Sequence, residues 1–214
     1  MRKKIRRYTQ SDHTRCGPAC MLMLLDLYGK LRMPPFPRIA EETQLYNQYR
    51  SHVKYPDRDE EFPGVNGAAI ACHLSSRQLK VRLVHSSGNM MDNRDGYFPE
   101  QLYEGLLAEY RKKAKECKDR IELITGAEIT CDTLKAELDA GRQIILETIV
   151  PGNADGMHDH VLHWIVVYGY EGDLFKVCDP GYRQKTTLTV GEMTGYMDTP
   201  IGKIYLAVSG EEIP

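Results

Sequence analysis

The feature that most constrains the fold is an apolar segment that follows a cysteine near the start of the chain. Every residue from Ala19 to Tyr28 is apolar except Asp26. Pro18 suits the first turn of a helix, where its missing N–H costs nothing, and Gly29 suits the position just past the end. A helix that is apolar nearly all round is buried on most sides. We therefore predict a central, buried helix over about residues 17–28.

Helices are predicted in the first part of the chain and strands in the last third. Apolar periodicity and capping residues indicate further helices over about 38–48, 67–78, 99–118 and 132–139. Asp132 is expected to cap the last of them. Short β-branched runs indicate strands at about 80–84, 143–150, 161–170, 174–178, 185–190 and 203–208. This order predicts an α+β fold, with a helical lobe over about 8–140 packed on an antiparallel sheet lobe over about 141–210. The 214 residues fit one domain, 1–214.

Cys16 lies where a loop enters the amino end of the predicted buried helix. Free backbone N–H groups and the positive end of the helix dipole stabilise a thiolate there, which makes Cys16 a candidate nucleophile. Gln10, six residues upstream, can direct its side-chain N–H to the same point, as a candidate oxyanion donor together with the Cys16 N–H. The alternative is an inert structural cysteine, because free cysteines are commonly buried.

A histidine and an aspartate lie on two neighbouring predicted strands. His163 interrupts the apolar strand at 161–168, and Asp179 ends the returning strand just before Pro180. Adjacent antiparallel strands can bring the two side by side, so that Asp179 fixes the imidazole tautomer while His163 exchanges a proton with Cys16. Taken singly, the histidine is more typical of a core and the Asp-Pro step of a turn. Together with the cysteine they predict a catalytic site.

These segments resemble the papain-like cysteine peptidase superfamily. The run Gln10-x5-Cys16-Gly17-Pro18-Ala19-Cys20, the strand that begins at His163 and the step at Asp179 are similar, more narrowly, to the peptidases that remove double-glycine leaders from bacteriocins. The resemblance implies a papain-like fold, a Cys16 nucleophile, a His163 base, an Asp179 orienter and a Gln10 oxyanion donor. It further implies a peptidase with a thioester acyl-enzyme, and a peptide or protein substrate. Residues 30–66 and 86–131 are additions relative to that family.

Three other functions stay open, and a metal site is weighed beside them. On the same scaffold an acyltransferase, acting on an acyl-thioester carrier, or a glutamine deamidase would reuse the thioester. An inactive binding module would keep the fold without the chemistry. A metal site is weighed at His158, Asp159, His160 and His163, with Asp155 nearby, but an alternating strand would point His163 away from the other two histidines. We expect no metal. The peptidase, acyltransferase, deamidase and binding-module alternatives need no cofactor.

Charge and cysteine content suggest partners and location. The net charge of −2 argues against a nucleic-acid partner, and no apolar run approaches the length of a transmembrane helix. The six cysteines form no Cys-x-x-Cys pair, and a chain this long folds without bridges, so we expect free thiols in a reducing compartment, with three disulfides as the alternative that the even count allows. With no secretory signal at its start, the chain is expected to be cytoplasmic, with signal-less export left open.

Overall fold

The computed structural model describes residues 5–31, 38–151, 160–181 and 185–210. Within these ranges the helices, in chain order, are α1 Cys16–Leu27, α2 Arg38–Tyr49, α3 Gly67–Ser76, α4 Glu100–Glu116, α5 Cys131–Asp139 and α6 Val190–Met197. The strands are β1 Leu79–His85, β2 Ile121–Ile124, β3 Gln143–Pro151, β4 His160–Glu171, β5 Leu174–Cys178, β6 Thr187–Thr189 and β7 Ile204–Gly210. The predicted α+β class is confirmed.

The strands form one seven-stranded sheet in the order β2-β1-β7-β3-β4-β5-β6. All neighbouring strands are antiparallel except β1 and β2, which are parallel. Because β1 and β2 lie at 79–85 and 121–124, a boundary near residue 141 does not separate helices from strands. The sheet draws its strands from both parts of the chain, since the last strand, β7, pairs with β1 on one side and β3 on the other.

Helices cover both faces of the sheet. The first face, with Ile145, Trp164 and Leu206, packs in one apolar cluster with α1, α3 and α4. The opposite face, with Ile144 and Ile165, packs with α5 and α6. In α1 every residue from Cys16 to Leu25 is buried, as predicted for a central helix. The helix that carries Cys16 is therefore enclosed by its neighbours from Cys16 to Leu25.

Two local expectations were wrong. Asp132 does not cap α5, because the helix begins one residue earlier and Thr130 accepts a hydrogen bond from the Thr133 N–H in a capping box. The strand expected at 185–190 is limited to β6, and its last residue, Val190, begins α6 instead. There Thr189 and Glu192 form a second capping box, which stabilises the start of the helix.

The cysteines depart from the expected set of six free thiols. Cys72 in α3 and Cys117 at the end of α4 form a disulfide, with their Cα atoms 5.4 Å apart. The other four, Cys16, Cys20, Cys131 and Cys178, are free. Sequence spacing gave no sign of this pair, because 45 residues separate its members and packing of α3 on α4 brings them together. The bond removes the ground for expecting a reducing compartment.

Across the described ranges, no helix combines the length and the apolar character needed to cross a bilayer.

Candidate active site

The site begins at the amino end of α1, where Cys16 is the first helical residue. Its side chain is buried, with 8% of the residue exposed, and borders a cavity. Arg15 occupies the N-cap position and makes no side-chain capping hydrogen bond. The backbone N–H groups of the first turn are therefore not bound by the N-cap side chain. The preceding loop is held by Asp12, whose Oδ1 accepts from the Thr14 N–H at 2.8 Å. The thiol thus lies at the start of the helix, buried but bordering the cavity.

His163 and Asp179 meet on neighbouring strands. The pairing of Val166 with Cys178 leaves Asp179 just past the end of β5, within reach of β4. His163 Nε2 lies 2.7 Å from Asp179 Oδ1, and both side chains are 10% exposed. The Gly181 N–H donates to the same Oδ1 at 2.7 Å. The carboxylate is therefore fixed from two sides, and it holds the imidazole in one orientation.

Electrostatics couples the pair to the cysteine. Burial alone would lower the pKa of His163, but hydrogen bonds to Asp179 and to Cys16 outweigh it and raise that pKa well above the usual value. Burial would raise the pKa of Asp179, but the hydrogen bond and the charge of His163 lower it. Since Nε2 contacts Asp179, the other ring nitrogen, Nδ1, is the one left for Cys16. Cys16, His163 and Asp179 are thus brought together in the predicted order.

Gln10 lies beside this group and is buried, with 5% exposed. Its backbone N–H donates to the Pro180 carbonyl at 2.9 Å, which ties the loop before α1 to the segment that carries Asp179. Its side-chain Nε2 donates to the Asp12 carbonyl at 2.7 Å, and its Oε1 is buried without a partner. An amide nitrogen carries two hydrogens, so one donor of Gln10 remains.

A cavity of about 440 Å³ opens beside Cys16. Its walls come mainly from residues 51–67 and 91–110, which largely fall in the two segments identified as additions in the sequence, and from 161–164 of β4. The lining is mostly apolar and aromatic, and includes Tyr55, Phe62, Val65, Tyr97, Phe98, Leu102, Leu106, Tyr110 and Trp164. A concave, largely apolar space with few polar groups is typical of a ligand-binding site.

Sequence reasoning missed one residue of this cavity, Glu147 on β3. The carboxyl group lies in the lining, and the residue is only 7% exposed. Burial raises the pKa of Glu147 to about 8. The signal in the sequence was a single charge inside the apolar run Ile144 to Val150. Burying a charged side chain in a central strand is costly, so such a residue is a candidate for a functional role.

The weighed metal site falls mostly outside the described residues. His158, Asp159 and Asp155 lie there, and only the backbone of His160 is described. Within the described ranges, His163 is engaged by Asp179, and no group of three or more His, Cys, Asp or Glu side chains is arranged to hold a metal ion.

One family model covers most of the chain: that of the Peptidase_C39 like family matches residues 2–196. No curated protein matches the chain in sequence. Among solved structures, a double glycine motif protease from an AMS/PCAT transporter, in complex with the leader peptide, is similar at 14% identity and a TM-score of 0.47, covering 97% of this chain and 92% of that one. The peptidase domain of Streptococcus ComA, a bi-functional ABC transporter involved in a quorum sensing pathway, is similar at 12% identity and a TM-score of 0.48, covering 97% and 100%. Given the extent of the family match, this chain belongs to the Peptidase_C39 like family and is a cysteine peptidase-like enzyme.

Proposed function

We propose that the chain, as one catalytic domain over residues 1–214, hydrolyses peptide bonds through a Cys16-His163-Asp179 triad. The observation that carries the proposal is the arrangement of the imidazole, which contacts the Asp179 carboxylate through Nε2 and lies close enough to Cys16 for that side chain to raise its pKa. A base held between a nucleophile and an orienting carboxylate is the arrangement that acyl transfer requires. The substrate is a peptide or protein, and neither a metal nor an organic cofactor takes part.

In the first half-reaction, the Cys16 thiolate attacks the carbonyl carbon of the scissile bond. The C=O electron pair moves to oxygen, giving a tetrahedral oxyanion. As this collapses, the C–N bond breaks, and protonated His163 gives its proton to the departing amine. The acyl group is left on Cys16 as a thioester. Asp179 stabilises the imidazolium throughout and keeps its proton-exchanging nitrogen directed at the sulfur.

In the second half-reaction, His163 accepts a proton from water, and the resulting hydroxide attacks the thioester. The C–S bond breaks, the acid product leaves, and the thiolate–imidazolium pair is restored. Oxyanion stabilisation is needed in both halves. We assign it to the second N–H of the Gln10 side chain together with the Cys16 backbone N–H. The hydrogen bond from Gln10 Nε2 to the Asp12 carbonyl would hold the amide in place for this role.

The direct test is the order in which the free cysteines react with iodoacetamide in the folded protein. Cys16 should be alkylated faster than Cys131, although Cys131 is the more exposed, because Cys16 lies at a helix start with His163 placed to accept the proton of its thiol. Cys20, one turn further along α1, is the matched control: it is fully buried, and burial raises its pKa well above the usual value. Peptide mapping that found Cys131 or Cys178 labelled first would contradict the assignment.

The chemical outcome is read by intact mass spectrometry after incubation with candidate peptides. An acyl adduct on Cys16 that water removes supports the peptidase, and the Cys16→Ala variant should form none. An adduct that passes instead to an added amine would indicate acyl transfer. No adduct with any peptide, combined with unexceptional thiol reactivity, would indicate a binding module.

A further inference from the structure

The cavity beside Cys16 contains a buried carboxyl group that the triad does not use. Glu147 lies on β3 in the middle of the sheet and pairs across to Trp164 on β4. Residues paired across antiparallel strands project to the same face, so Glu147 and Trp164 share the face that α1 and α3 cover. Glu147 Oε2 is buried and has no hydrogen-bond partner, while the residue borders the cavity. A buried acceptor without a partner is costly and calls for an explanation.

The surroundings of Glu147 are aromatic. Trp164, Tyr110 and Tyr97 border the same cavity, and Glu147 lies near enough to the two tyrosines to raise the pKa of each hydroxyl, although burial is the larger cause in both. The indole is fixed, because its Nε1–H donates to the Val65 carbonyl at 3.0 Å. The Tyr110 hydroxyl is also engaged, 3.3 Å from Nε2 of His85. The polar ends of two rings are thus bound elsewhere, leaving ring carbons to wall the cavity.

The charges around the cavity do not neutralise Glu147. The cationic side chain among the lining residues, Arg58, stacks on Tyr55 at 3.9 Å and pairs with Glu60 at 3.4 Å. Among the described residues Glu147 forms no ion pair, and its Oε2 has no hydrogen-bond partner. A carboxylate among aromatic rings is the environment that binds an ammonium or guanidinium, through charge pairing and cation–π contact. The positive charge of a bound group would therefore supply the partner that the Glu147 carboxylate lacks.

We propose that this cavity is a specificity pocket for a lysine or arginine side chain of the substrate, with Glu147 binding the charged end. The apolar walls accommodate the methylene stem, as they do wherever long basic side chains are half-buried. The volume of about 440 Å³ lies in the range of pockets that enclose a ligand of this size. The proposal rests on the proposed function, since Cys16 borders the same cavity and acts on a peptide bond near the bound residue.

The first experiment does not need catalysis. Trp164 is the single tryptophan of the chain, so its fluorescence reports the cavity directly. We would titrate the protein with Nα-acetyl-lysinamide and, as the matched uncharged ligand, with Nα-acetyl-norleucinamide. The lysine ligand should bind at least about tenfold more tightly, and Glu147→Gln should reduce the ratio to about one. Cys16→Ala should keep the preference. Equal affinities in the wild type, or a preference that survives Glu147→Gln, would overturn the proposal.

The second experiment links the pocket to Cys16. Peptidyl acyloxymethyl ketones alkylate a cysteine nucleophile with loss of the carboxylate leaving group. Four reagents would carry lysine or norleucine either next to the ketone or one residue further away. At one of these positions the lysine reagent should alkylate Cys16 at least about tenfold faster, and Glu147→Gln should abolish the difference. A lysine preference at neither position would contradict the pocket. If no reagent labels Cys16, the proposed chemistry fails, and the fluorescence titration still decides the pocket.

Discussion

Replacing Glu147 with glutamine should remove a pH dependence from the stability of the fold. Burial raises the pKa of this carboxyl from 4.5 to about 8 in the folded protein. In the unfolded chain it returns to its ordinary value, so between about pH 4.5 and pH 8 the folded state holds a proton that the unfolded state has released. Because the unfolded state binds fewer protons, stability falls as the pH rises. Glutamine has the same shape and does not titrate.

The magnitude follows from the same values. Where only the folded state holds the proton, the free energy of unfolding falls by about 1.4 kcal/mol per pH unit. Allowing for partial titration at both ends, the Glu147 contribution should decrease by about 2.5 kcal/mol between about pH 5.5 and pH 7.5. Between these two pH values, the free energy of unfolding of Glu147→Gln should therefore rise relative to that of the wild type by roughly the same amount. That is a large change against the ~5–15 kcal/mol of a typical domain.

The assay is urea unfolding of both proteins at several pH values, with the free energy extrapolated to water. The difference between the two curves is the quantity of interest, since other buried groups titrate in both proteins alike. Among them are His73 and His85, whose pKa values burial lowers to about 4. Circular dichroism should accompany Trp164 fluorescence, because the indole lies beside the mutated residue. Parallel curves would refute the reasoning and place an ionised, hydrated Glu147 in the cavity.

Three further predictions concern the triad, the oxyanion donor and the disulfide. Asp179→Asn should fold but lower kcat by about 10²–10⁴, less than Cys16→Ala, because the imidazole loses its tautomer and its counter-charge; unchanged steady-state turnover would make Asp179 a turn residue only. Gln10→Ala should lower kcat by about 10²–10³ with little change in KM, while iodoacetamide alkylation of Cys16 stays nearly as fast, because that displacement forms no oxyanion; if turnover and alkylation fall together, Gln10 instead supports the loop. Cys117→Ser should lower the free energy of unfolding by up to about 4 kcal/mol, since the bond to Cys72 closes a loop of about 45 residues; urea curves that match those of the wild type would show that the bond does not form.

The sequence predicted the elements with strong local signals. The helix at Cys16 was recognisable from its unbroken apolar run, and β4 and β5 from β-branched runs around a short turn. In each case the predicted bounds lie within one or two residues of the observed ones. The two missed elements are short. β2 has four residues and depends on pairing with β1, while α6 follows β6 with no loop between them.

Some residues of the candidate site could be predicted from the sequence, and others could not. Cys16, His163 and Asp179 could be chosen because each residue type suits one step of a known chemistry, and their contact follows from two adjacent strands and one helix end. Glu147 could not be assigned a place, because alternation along β3 gives its face but not what covers that face. The covering elements, α1, α3 and α4, are far away in the sequence. The disulfide between Cys72 and Cys117 escaped prediction for the same reason.

The central place of β7 has a consequence for biosynthesis. The chain makes β1 early and the β3–β4 hairpin, which carries His163, much later, and neither pairs with the other directly. They are joined only when β7 enters between them, pairing Tyr205 with Val84 and Leu206 with Ile145. Such distant pairings are slow to form, because a long stretch of chain must be ordered first.

A nascent chain that has not yet exposed residues 204–210 therefore has α1 and the strand β4 on which it packs, but lacks the strand that joins the β3–β4 hairpin to β1. The sheet that carries His163 is therefore expected to close in a single step, when β7 enters between β1 and β3, rather than strand by strand as the polypeptide emerges.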